Sequence, residues 1–163
     1  MIDFTRDLGR DELRTVVSSL AASSGLWHPH VRHSPEQRSF EQLVLNEHLA
    51  VWLICWMEGH DTGFHDHDGS SGAVTLVRGR LREERLRVGG PPLANDYSAG
   101  ETFDFVGSDI HRVVHVGGPP AVSIHAYSPP LKGMGSYAWE ADGALRRTLL
   151  GKDEELKPLT AAA

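Results

Sequence analysis

The sequence predicts an all-β fold, a barrel or sandwich of short strands that is preceded by one short helical segment. Short β-compatible runs recur from Phe40 to Tyr127. Turns rich in glycine and proline separate them, as in Gly89-Gly90-Pro91-Pro92 and Gly117-Gly118-Pro119-Pro120. There is no alternation of strands with helices and no long internal repeat. Many short strands at near-regular spacing, with turn chemistry between them, are typical of barrels and sandwiches.

Length and composition indicate a single globular domain over residues 1–163. Apolar residues make up 40% of the chain and charged residues 23%, an ordinary balance for a soluble protein. The formal net charge of −6 disfavours a nucleic-acid surface, which would be basic. No apolar run approaches the roughly 20 residues of a membrane span. We therefore expect neither nucleic acid nor membrane as a partner, and a monomer or small homo-oligomer.

The N-terminus and the cysteine content predict a cytoplasmic protein. The first residues are too charged for a signal peptide. Cys55 is the only cysteine, so no internal disulfide can form, which fits a reducing compartment. We interpret Cys55 as a small buried apolar residue rather than a nucleophile.

The first element is a helix predicted over residues 10–22. Four apolar residues between positions 13 and 20 follow helical spacing, while Asp11 and Glu12 favour the positive N-terminal end. Ser23-Ser24-Gly25 ends the helix. We expect its apolar stripe to pack against one side or end of the fold.

A histidine-rich loop follows at residues 27–33. Its three histidines have spacings that resemble a metal cluster, but we interpret them as solvated or hydrogen-bonded loop residues. Ser34-Pro35-Glu36-Gln37 combines capping residues with a proline and is compatible with a short turn of helix.

The next two predicted strands cover residues 40–45 and 49–57. The second of these is apolar throughout, which predicts burial on both faces, with Trp52 and Trp56 on one face in the core. Residues 131–163 are interpreted as a wrapping tail with one further strand at 145–150 and a charged, frayed end at 152–163. The predicted strands cover residues 40–45, 49–57, 73–77, 81–88, 101–106, 112–116 and 121–127.

Three histidines are the candidate metal ligands. His65 and His67 are one residue apart, so on a strand both side chains point to the same face. His111 comes at the head of a later strand. Neutral imidazoles that share one face can bind one iron, zinc, copper or nickel ion. His60 and His115 are interpreted as hydrogen-bonded polar residues, with support of the ligands as the alternative.

Residues 59–79 and 100–115 resemble the two motifs of the cupin superfamily, whose fold is a small jelly-roll β-barrel. In the first motif the glycines, His65 and His67 match in spacing, but Gly72 stands where that family has a glutamate ligand. In the second motif His111 matches the family histidine. Three imidazoles without a carboxylate leave open positions at a metal for both a thiol and dioxygen, which suits oxidation of a thiol.

Most of residues 40–130 further resembles the cysteine dioxygenase, or thiol dioxygenase, family of cupins. The resemblance implies one Fe(II) per chain, bound by His65, His67 and His111, and oxidation of a small thiol by O2 to a sulfinic acid. The segments that carry the resemblance are Leu53-Ile54-Cys55-Trp56, Phe64-His65-Asp66-His67, Leu76-Val77-Arg78-Gly79-x-Leu81-x-Glu83, His111-Arg112-Val113 and Pro120–Pro130.

The same resemblance implies a hydrogen-bonded relay of Ser123, His125 and Tyr127, whose phenol reaches toward the iron. Alternation on a strand supports it, because these three residues share one face. Animal members of the family cross-link the tyrosine to a cysteine, and Gly72 occupies the matching position here. We therefore expect Tyr127 to be uncross-linked.

The residue that binds the substrate carboxylate is predicted with two alternatives. Aligning Phe40 with a family aromatic puts Gln42 at the position of the carboxylate-binding arginine, which favours 3-mercaptopropionate over cysteine as the thiol. A glutamine offers a neutral amide instead of a bidentate charge. Arg38 is the alternative anion clamp, although we interpret it as a surface charge. Tyr127 completes the expected substrate contacts.

Two other functions remain open at this point. One is a cupin metalloenzyme of another reaction class that uses another divalent metal. The other is a non-catalytic cupin that senses a ligand. The complete set of three histidines together with Ser123, His125 and Tyr127 argues against the sensor.

Overall fold

A computed structural model of the chain describes residues 2–151. Two helices, α1 (Arg10–Ala22) and α2 (Ser24–Trp27), precede a 3-10 turn at His28–His30. The strands are β1 (Ser39–Leu45), β2 (Ala50–Trp56), β3 (Phe64–Asp66), β4 (Ser71–Arg78), β5 (Arg80–Arg85), β6 (Leu93–Ser98), β7 (Thr102–Phe105), β8 (His111–His115), β9 (Ala121–Ser128), β10 (Gly133–Trp139) and β11 (Leu145–Gly151).

The strands form two antiparallel sheets. One sheet has the order β1-β2-β9-β4-β7 and the other β11-β10-β3-β8-β5-β6. Apolar side chains of both sheets, among them Ile54, Phe105, Leu81 and Val113, form one buried cluster. This cluster surrounds the interior of the barrel and positions the candidate site.

Helix α1 covers the outer face of the five-stranded sheet. Leu13 and Val17 on the helix pack in one buried cluster with Leu53 of β2 and Ile124 of β9. Because α1 lies on one face and the barrel interior on the other, every residue of β9 is buried. The continuous hydrophobicity of β2 has the same cause, as the sequence predicts.

Several element predictions are confirmed and others are wrong. The helix over 10–22 is confirmed. Residues 35–37 form a bend, so the turn of helix considered for residues 34–37 does not form. Strand β6 was not expected. The strand predicted at 145–150 is confirmed as β11, but it pairs with β10, so this part of the chain joins a sheet rather than only wrapping the barrel. The frayed end predicted at 152–163 lies outside the described residues.

Within residues 2–151, no helix has the length and apolarity needed to cross a membrane.

Candidate metal centre and active site

The three predicted ligands come together on two neighbouring strands. His65 of β3 is directly opposite His111 of β8, and His67 follows β3 by one residue. One ligand atom from each lies within 4.8 Å of the others, and no residue of the three is more than 4% exposed. Among residues 2–151 these are the one group of three or more histidine, cysteine or acidic residues with this spacing.

Hydrogen bonds orient two of the rings. The Nδ1 of His65 lies 3.0 Å from the carbonyl oxygen of Gly63, and the Nδ1 of His111 lies 2.8 Å from Oε1 of Glu83. Both partners are acceptors, so Nδ1 carries the proton and Nε2 keeps a lone pair. The ring of His67 stacks on Phe105 with centroids 4.2 Å apart. A lone pair on Nε2 is what a metal ion needs from a neutral imidazole.

Burial keeps the three imidazoles neutral. Desolvation lowers the pKa of His65 to about 4, with Arg38 adding to the effect. Burial, reinforced by the neighbouring histidines, lowers the pKa of His67 and His111 well below the ordinary value. Neutral, deprotonated nitrogens are the form that binds a metal, so the donor set fits a divalent transition metal.

The space between the rings also fits a single ion. The three histidines line a cavity of about 10 Å³ together with Tyr127 and Arg38. This volume is close to the ~10–15 Å³ that a single water molecule requires. The Nδ1 of His67 is buried and has no hydrogen-bond partner among residues 2–151, so no hydrogen bond from this part of the chain fixes the tautomer of that ring. Size and donor chemistry therefore agree.

The predicted relay lies on β9 at the wall of this cavity. Ser123 Oγ is 2.7 Å from Nε2 of His125, and Nδ1 of His125 is 3.4 Å from the hydroxyl of Tyr127. Trp56 extends the relay, because its Nε1–H donates to Ser123 Oγ at 2.8 Å. Burial lowers the pKa of His125 to about 3, so this imidazole is neutral.

The Trp56 bond gives the relay a direction. An indole nitrogen only donates, so Ser123 Oγ accepts from Trp56 and its own hydrogen points to Nε2 of His125. Nε2 then accepts, the ring proton lies on Nδ1, and Nδ1–H points to the oxygen of Tyr127. The sequence predicted Trp56 as core only; its donor role depends on the pairing of Ile54 with Ser123, which brings β2 beside β9.

Arg38 is not a surface charge, contrary to the sequence interpretation. Its side chain is only 4% exposed and lines the cavity with the three histidines. The guanidinium lies 5.2 Å from the ring centroid of Trp56, a cation–π contact. Arg38 also lines an adjoining cavity of about 370 Å³ that is open to solvent and includes His60 and Asp61. The guanidinium of Arg38 therefore lies between the candidate metal site and the cavity that is open to solvent.

Gln42 is exposed and is not among the side chains that line the cavity in the described part of the chain. It is opposite Trp52, which is only half-buried, whereas Trp56 is fully buried. The two tryptophans share a face as predicted, but Trp52 lies near the rim. Of the two carboxylate-binding candidates, the structure brings only Arg38 to the site.

Gly72 has no room for a side chain. It is paired with Tyr127 on one side and with Phe105 on the other. A Cβ atom at this position would lie 2.2 Å from the ring of Phe105. Cys55, the other possible cross-linking partner, is buried in the cluster beneath α1, on the opposite face of the sheet from Tyr127. Burial raises the pKa of its thiol.

Asp66 lies between two of the predicted ligands in sequence, but its carboxylate bonds to other side chains. Although burial opposes the shift, the guanidinium of Arg147 and the hydroxyl of Tyr137 hold the pKa of Asp66 well below its ordinary value. Arg147 donates two hydrogen bonds to this carboxylate at 2.7 and 2.9 Å, and Tyr137 donates one at 2.6 Å. Strand β3 is thereby fastened to β10 and β11.

The remaining histidines lie outside the group of three. Nδ1 of His60 accepts a hydrogen bond from the backbone of Met57 at 2.9 Å, and Nε2 of His115 donates to the carbonyl of Pro119 at 3.1 Å. Both agree with the interpretation as hydrogen-bonded polar residues. The histidines at 28, 30 and 33 form no metal-binding group among residues 2–151.

Glu83 is the functional candidate that sequence reasoning did not single out. It is 1% exposed and holds His111, as described above. Burial raises the pKa of its carboxyl, and Arg85 opposes the shift. The pairing of β5 with β8 brings Glu83 to His111, and the sequence of one strand does not show this pairing. The sequence signal available is alternation, which puts Glu83 on the same face of its strand as the apolar Leu81.

Solved structures show which fold this is. A double-stranded β-helix protein from Klebsiella pneumoniae superposes with a TM-score of 0.55 at 12% identity, over 74% of this chain and 91% of that one. A cupin superfamily protein from Desulfitobacterium hafniense gives a TM-score of 0.54 at 10% identity, over 63% and 87% of the two chains. The predicted cupin barrel is confirmed.

Sequence relatives are more specific. Cysteine dioxygenase type 1 of Danio rerio is 31% identical over 97 residues, which cover 53% of this chain and 48% of the relative. The enzyme of that name from Bos taurus is 24% identical over 137 residues, or 76% and 67% of the two chains. The chain spans about half the length of the Danio rerio and Homo sapiens relatives. The sequence model of the family described as cysteine dioxygenase type I matches residues 4–139 of this chain. The chain belongs to the cysteine dioxygenase type I family.

Proposed function

We propose that the protein is an Fe(II)-dependent thiol dioxygenase that converts a small carboxylate-bearing thiol and O2 into the sulfinic acid. The reaction balances as RSH + O2 → RSO2H, with both oxygen atoms added to sulfur. The observation that carries the proposal is the convergence of His65, His67 and His111 on one small cavity that Tyr127 also lines. Membership of the cysteine dioxygenase type I family supports it.

His65, His67 and His111 would hold the metal through neutral imidazole nitrogens, with one ion per chain. Imidazole ligands on one face, with other positions left open, are the arrangement that non-haem Fe(II) oxygenases use, usually with a carboxylate as the third ligand. Bound Fe(II) would supply the redox chemistry that lets dioxygen react with the thiol. The protein supplies a site from which water is largely excluded, because all three ligands are buried.

Tyr127 acts as a hydrogen-bond donor into the cavity. The chain of donors from Trp56 through Ser123 and His125 directs a proton to the phenol oxygen, so that oxygen accepts and the phenol O–H donates. A fixed donor that needs no reorientation stabilises negative charge as it develops on a reactant. His125 remains neutral and maintains this direction.

Arg38 binds the substrate carboxylate in this proposal, in place of Gln42. The guanidinium is buried at the cavity and is held over Trp56, so its fork is pre-organised for a carboxylate. Gln42 as carboxylate ligand was the argument for 3-mercaptopropionate. With Arg38 in that role, 3-mercaptopropionate and cysteine both remain candidates, since each carries a thiol and a carboxylate.

Oxygen uptake tests the function directly. Fe(II)-loaded protein is incubated with 3-mercaptopropionate, cysteine or cysteamine while O2 consumption is followed, and the mass of the product is determined by mass spectrometry. We expect uptake with at least one carboxylate-bearing thiol and a product heavier by two oxygen atoms. If neither carboxylate-bearing thiol raises uptake above that of metal-free protein, the proposal is wrong.

Replacement of His111 by alanine tests the metal ligands. We expect His111→Ala to lose both iron retention and activity, because two imidazoles hold a divalent metal far less tightly than three. His115→Ala, on the same face of the same strand, is the matched control and should keep its iron. Full activity in His111→Ala would refute the ligand assignment.

The partners in this proposal are the thiol and O2. A reducing, cytoplasmic location is part of the proposal as well, and the single cysteine supports it, since the chain cannot form an internal disulfide.

A further inference from the structure

Glu83 is the one acidic side chain that hydrogen-bonds to a member of the histidine group in the part of the chain that the structure describes. It lies on β5, where Arg85 is paired with His111, so Glu83 and His111 are diagonal neighbours on the same face. The distance from Glu83 Oε1 to His111 Nδ1 is 2.8 Å. Their side chains are 1% and 2% exposed, so solvent does not weaken the bond.

The charge of the donor set explains why such a neighbour matters. Three neutral imidazoles leave the full double charge on a divalent ion, and Gly72 supplies no carboxylate to reduce it. Asp66 is adjacent to two ligands in sequence, but its carboxylate forms an ion pair with Arg147. Glu83 is therefore the acidic side chain that can act on the metal centre, and it does so through its hydrogen bond to Nδ1 of His111.

Arg85 holds Glu83 in this position. Its Nε donates to the same Oε1 atom at 2.9 Å, and a second nitrogen bonds to Asp109 at 3.3 Å. Two donors on one oxygen fix the carboxylate, so the His111 ring has one orientation. A carboxylate behind a ligating histidine fixes its tautomer and makes its other nitrogen a stronger ligand.

We propose that Glu83 is a positioning residue that acts on the metal through His111, and that it replaces the absent carboxylate ligand by a hydrogen-bonded one. The inference rests on the proposed function, because it takes the three histidines as ligands. The inference itself concerns Glu83 alone. The negative charge of Glu83 strengthens the His111–metal bond and favours the ferric over the ferrous state of the bound iron.

Glu83→Gln tests this with the metal alone. The variant keeps shape and hydrogen-bond capacity but removes the charge. We expect an Fe(II) affinity lower by about 10- to 100-fold in anaerobic competition with a chelator, and a midpoint potential of the bound iron shifted to more positive values. Glu84→Gln is the matched control, because Glu84 is the next residue on β5 and pairs with Arg112 instead. It should resemble the wild type in both measurements.

A purely structural role for Glu83 would not move the potential. Fe(II) affinity within twofold of wild type and an unchanged potential in Glu83→Gln would overturn the inference, as would an equal loss in Glu84→Gln. If Glu83→Gln does not fold, Glu83→Asp replaces it. The shorter side chain keeps the charge but withdraws it from Nδ1 of His111, so Fe(II) affinity should fall and the potential should become more positive, and any other result overturns the inference.

The two proposals fail separately. Affinity and potential are measured without a thiol and without turnover. Iron bound as expected without oxygen uptake would overturn the thiol dioxygenase function alone. An active enzyme in which Glu83→Gln behaves like the wild type would overturn only the role of Glu83.

Discussion

Arg38 and Gln42 differ in depth along one strand edge, not in the face they occupy. Side chains four residues apart on an extended chain point the same way. Ser39 pairs with Cys55, so Arg38 lies next to fully buried Trp56, whereas Gln42 lies opposite half-buried Trp52. A difference of four residues therefore separates a buried cation from an exposed amide.

Arg38→Gln is expected to weaken binding of carboxylate-bearing thiols. A hydrogen bond to a charged group contributes about 1.5–3 kcal/mol, so KM should rise roughly 10- to 100-fold. Cysteamine, which has no carboxylate, should be much less affected. Steady-state oxygen uptake measures both. Arg80→Gln, at an exposed arginine paired with Asp96, and Gln42→Ala are the controls; a larger effect of Gln42→Ala than of Arg38→Gln would reverse the assignment.

Trp56→Phe is expected to lower kcat about fivefold, because one hydrogen bond of about 1 kcal/mol no longer orients Ser123 and the relay loses its direction. The ring that packs beneath Arg38 is kept. Iron affinity should not change, since the indole N–H of Trp56 bonds to Ser123 and not to a predicted metal ligand. Trp52→Phe is the matched control on the same face of β2. Equal kcat in the two variants would show that the indole N–H does not direct the relay.

The choice between these residues depends on register, which the sequence does not reveal. The histidine group was predictable because His65 and His67 alternate within three residues, and the Ser123–Tyr127 relay for the same reason. Arg38 was not, because β1 is an edge strand with an irregularity between Gln42 and Val44. Contacts such as Trp56–Ser123 connect distant segments and leave no local pattern.

Among the elements, β3 is the one that most needs support from its neighbours. It has three residues, and its pairing with β8 consists of His65 opposite His111. On the other side β10 pairs with it, and a Cβ atom at Gly135 would overlap the Asp66–Arg147 contact. The C-terminal hairpin β10–β11 therefore supports the strand that carries the metal candidate.

Arg147→Ala should reduce the free energy of unfolding by about 1–2 kcal/mol, because it leaves the largely buried carboxylate of Asp66 with fewer donors. Part of the effect is screened, since Arg147 itself is partly exposed. Urea denaturation measures it. Arg146→Ala, at the adjacent and more exposed arginine paired with Glu140, should change stability by less than about 0.5 kcal/mol. If the two variants were equal, the hairpin would not be fastened through Asp66.

The hairpin also shows where element prediction stops. Leu145–Leu150 was predictable from its apolar residues, but β10 begins Gly-Met-Gly, and glycine is depleted in strands. Strand β6 is polar and almost wholly exposed, so it lacks alternation. Both strands owe their conformation to pairing with a neighbour, which the sequence of the segment alone does not contain.

At the scale of the whole molecule, burial in the barrel interior keeps several imidazoles neutral. Burial lowers the pKa of His65 to about 4 and that of His125 to about 3. In the unfolded chain these side chains take up a proton near pH 6.5. Below that pH the unfolded state binds more protons than the folded state, so acid favours unfolding.

Metal-free protein should therefore lose stability as the pH falls from about 6.5 towards 4, with a slope of up to about 1.4 kcal/mol per pH unit for each buried histidine. Urea denaturation at a series of pH values gives the slope. His125→Gln should reduce it, and His30→Gln, at an exposed histidine outside the barrel interior, is the control. A stability that does not depend on pH in this window would contradict the burial of neutral imidazoles.

The tight contact between Gly72 and Phe105 has a consequence for how this site could change. The ring of Phe105 fills the space in which a side chain at position 72 would reach Tyr127, and the same ring stacks on His67. A thioether link between a cysteine at position 72 and Tyr127 would therefore need a second substitution, at Phe105. That substitution would remove the ring that stacks on His67, a predicted metal ligand, so the path from an unmodified to a cross-linked tyrosine passes through a weakened centre.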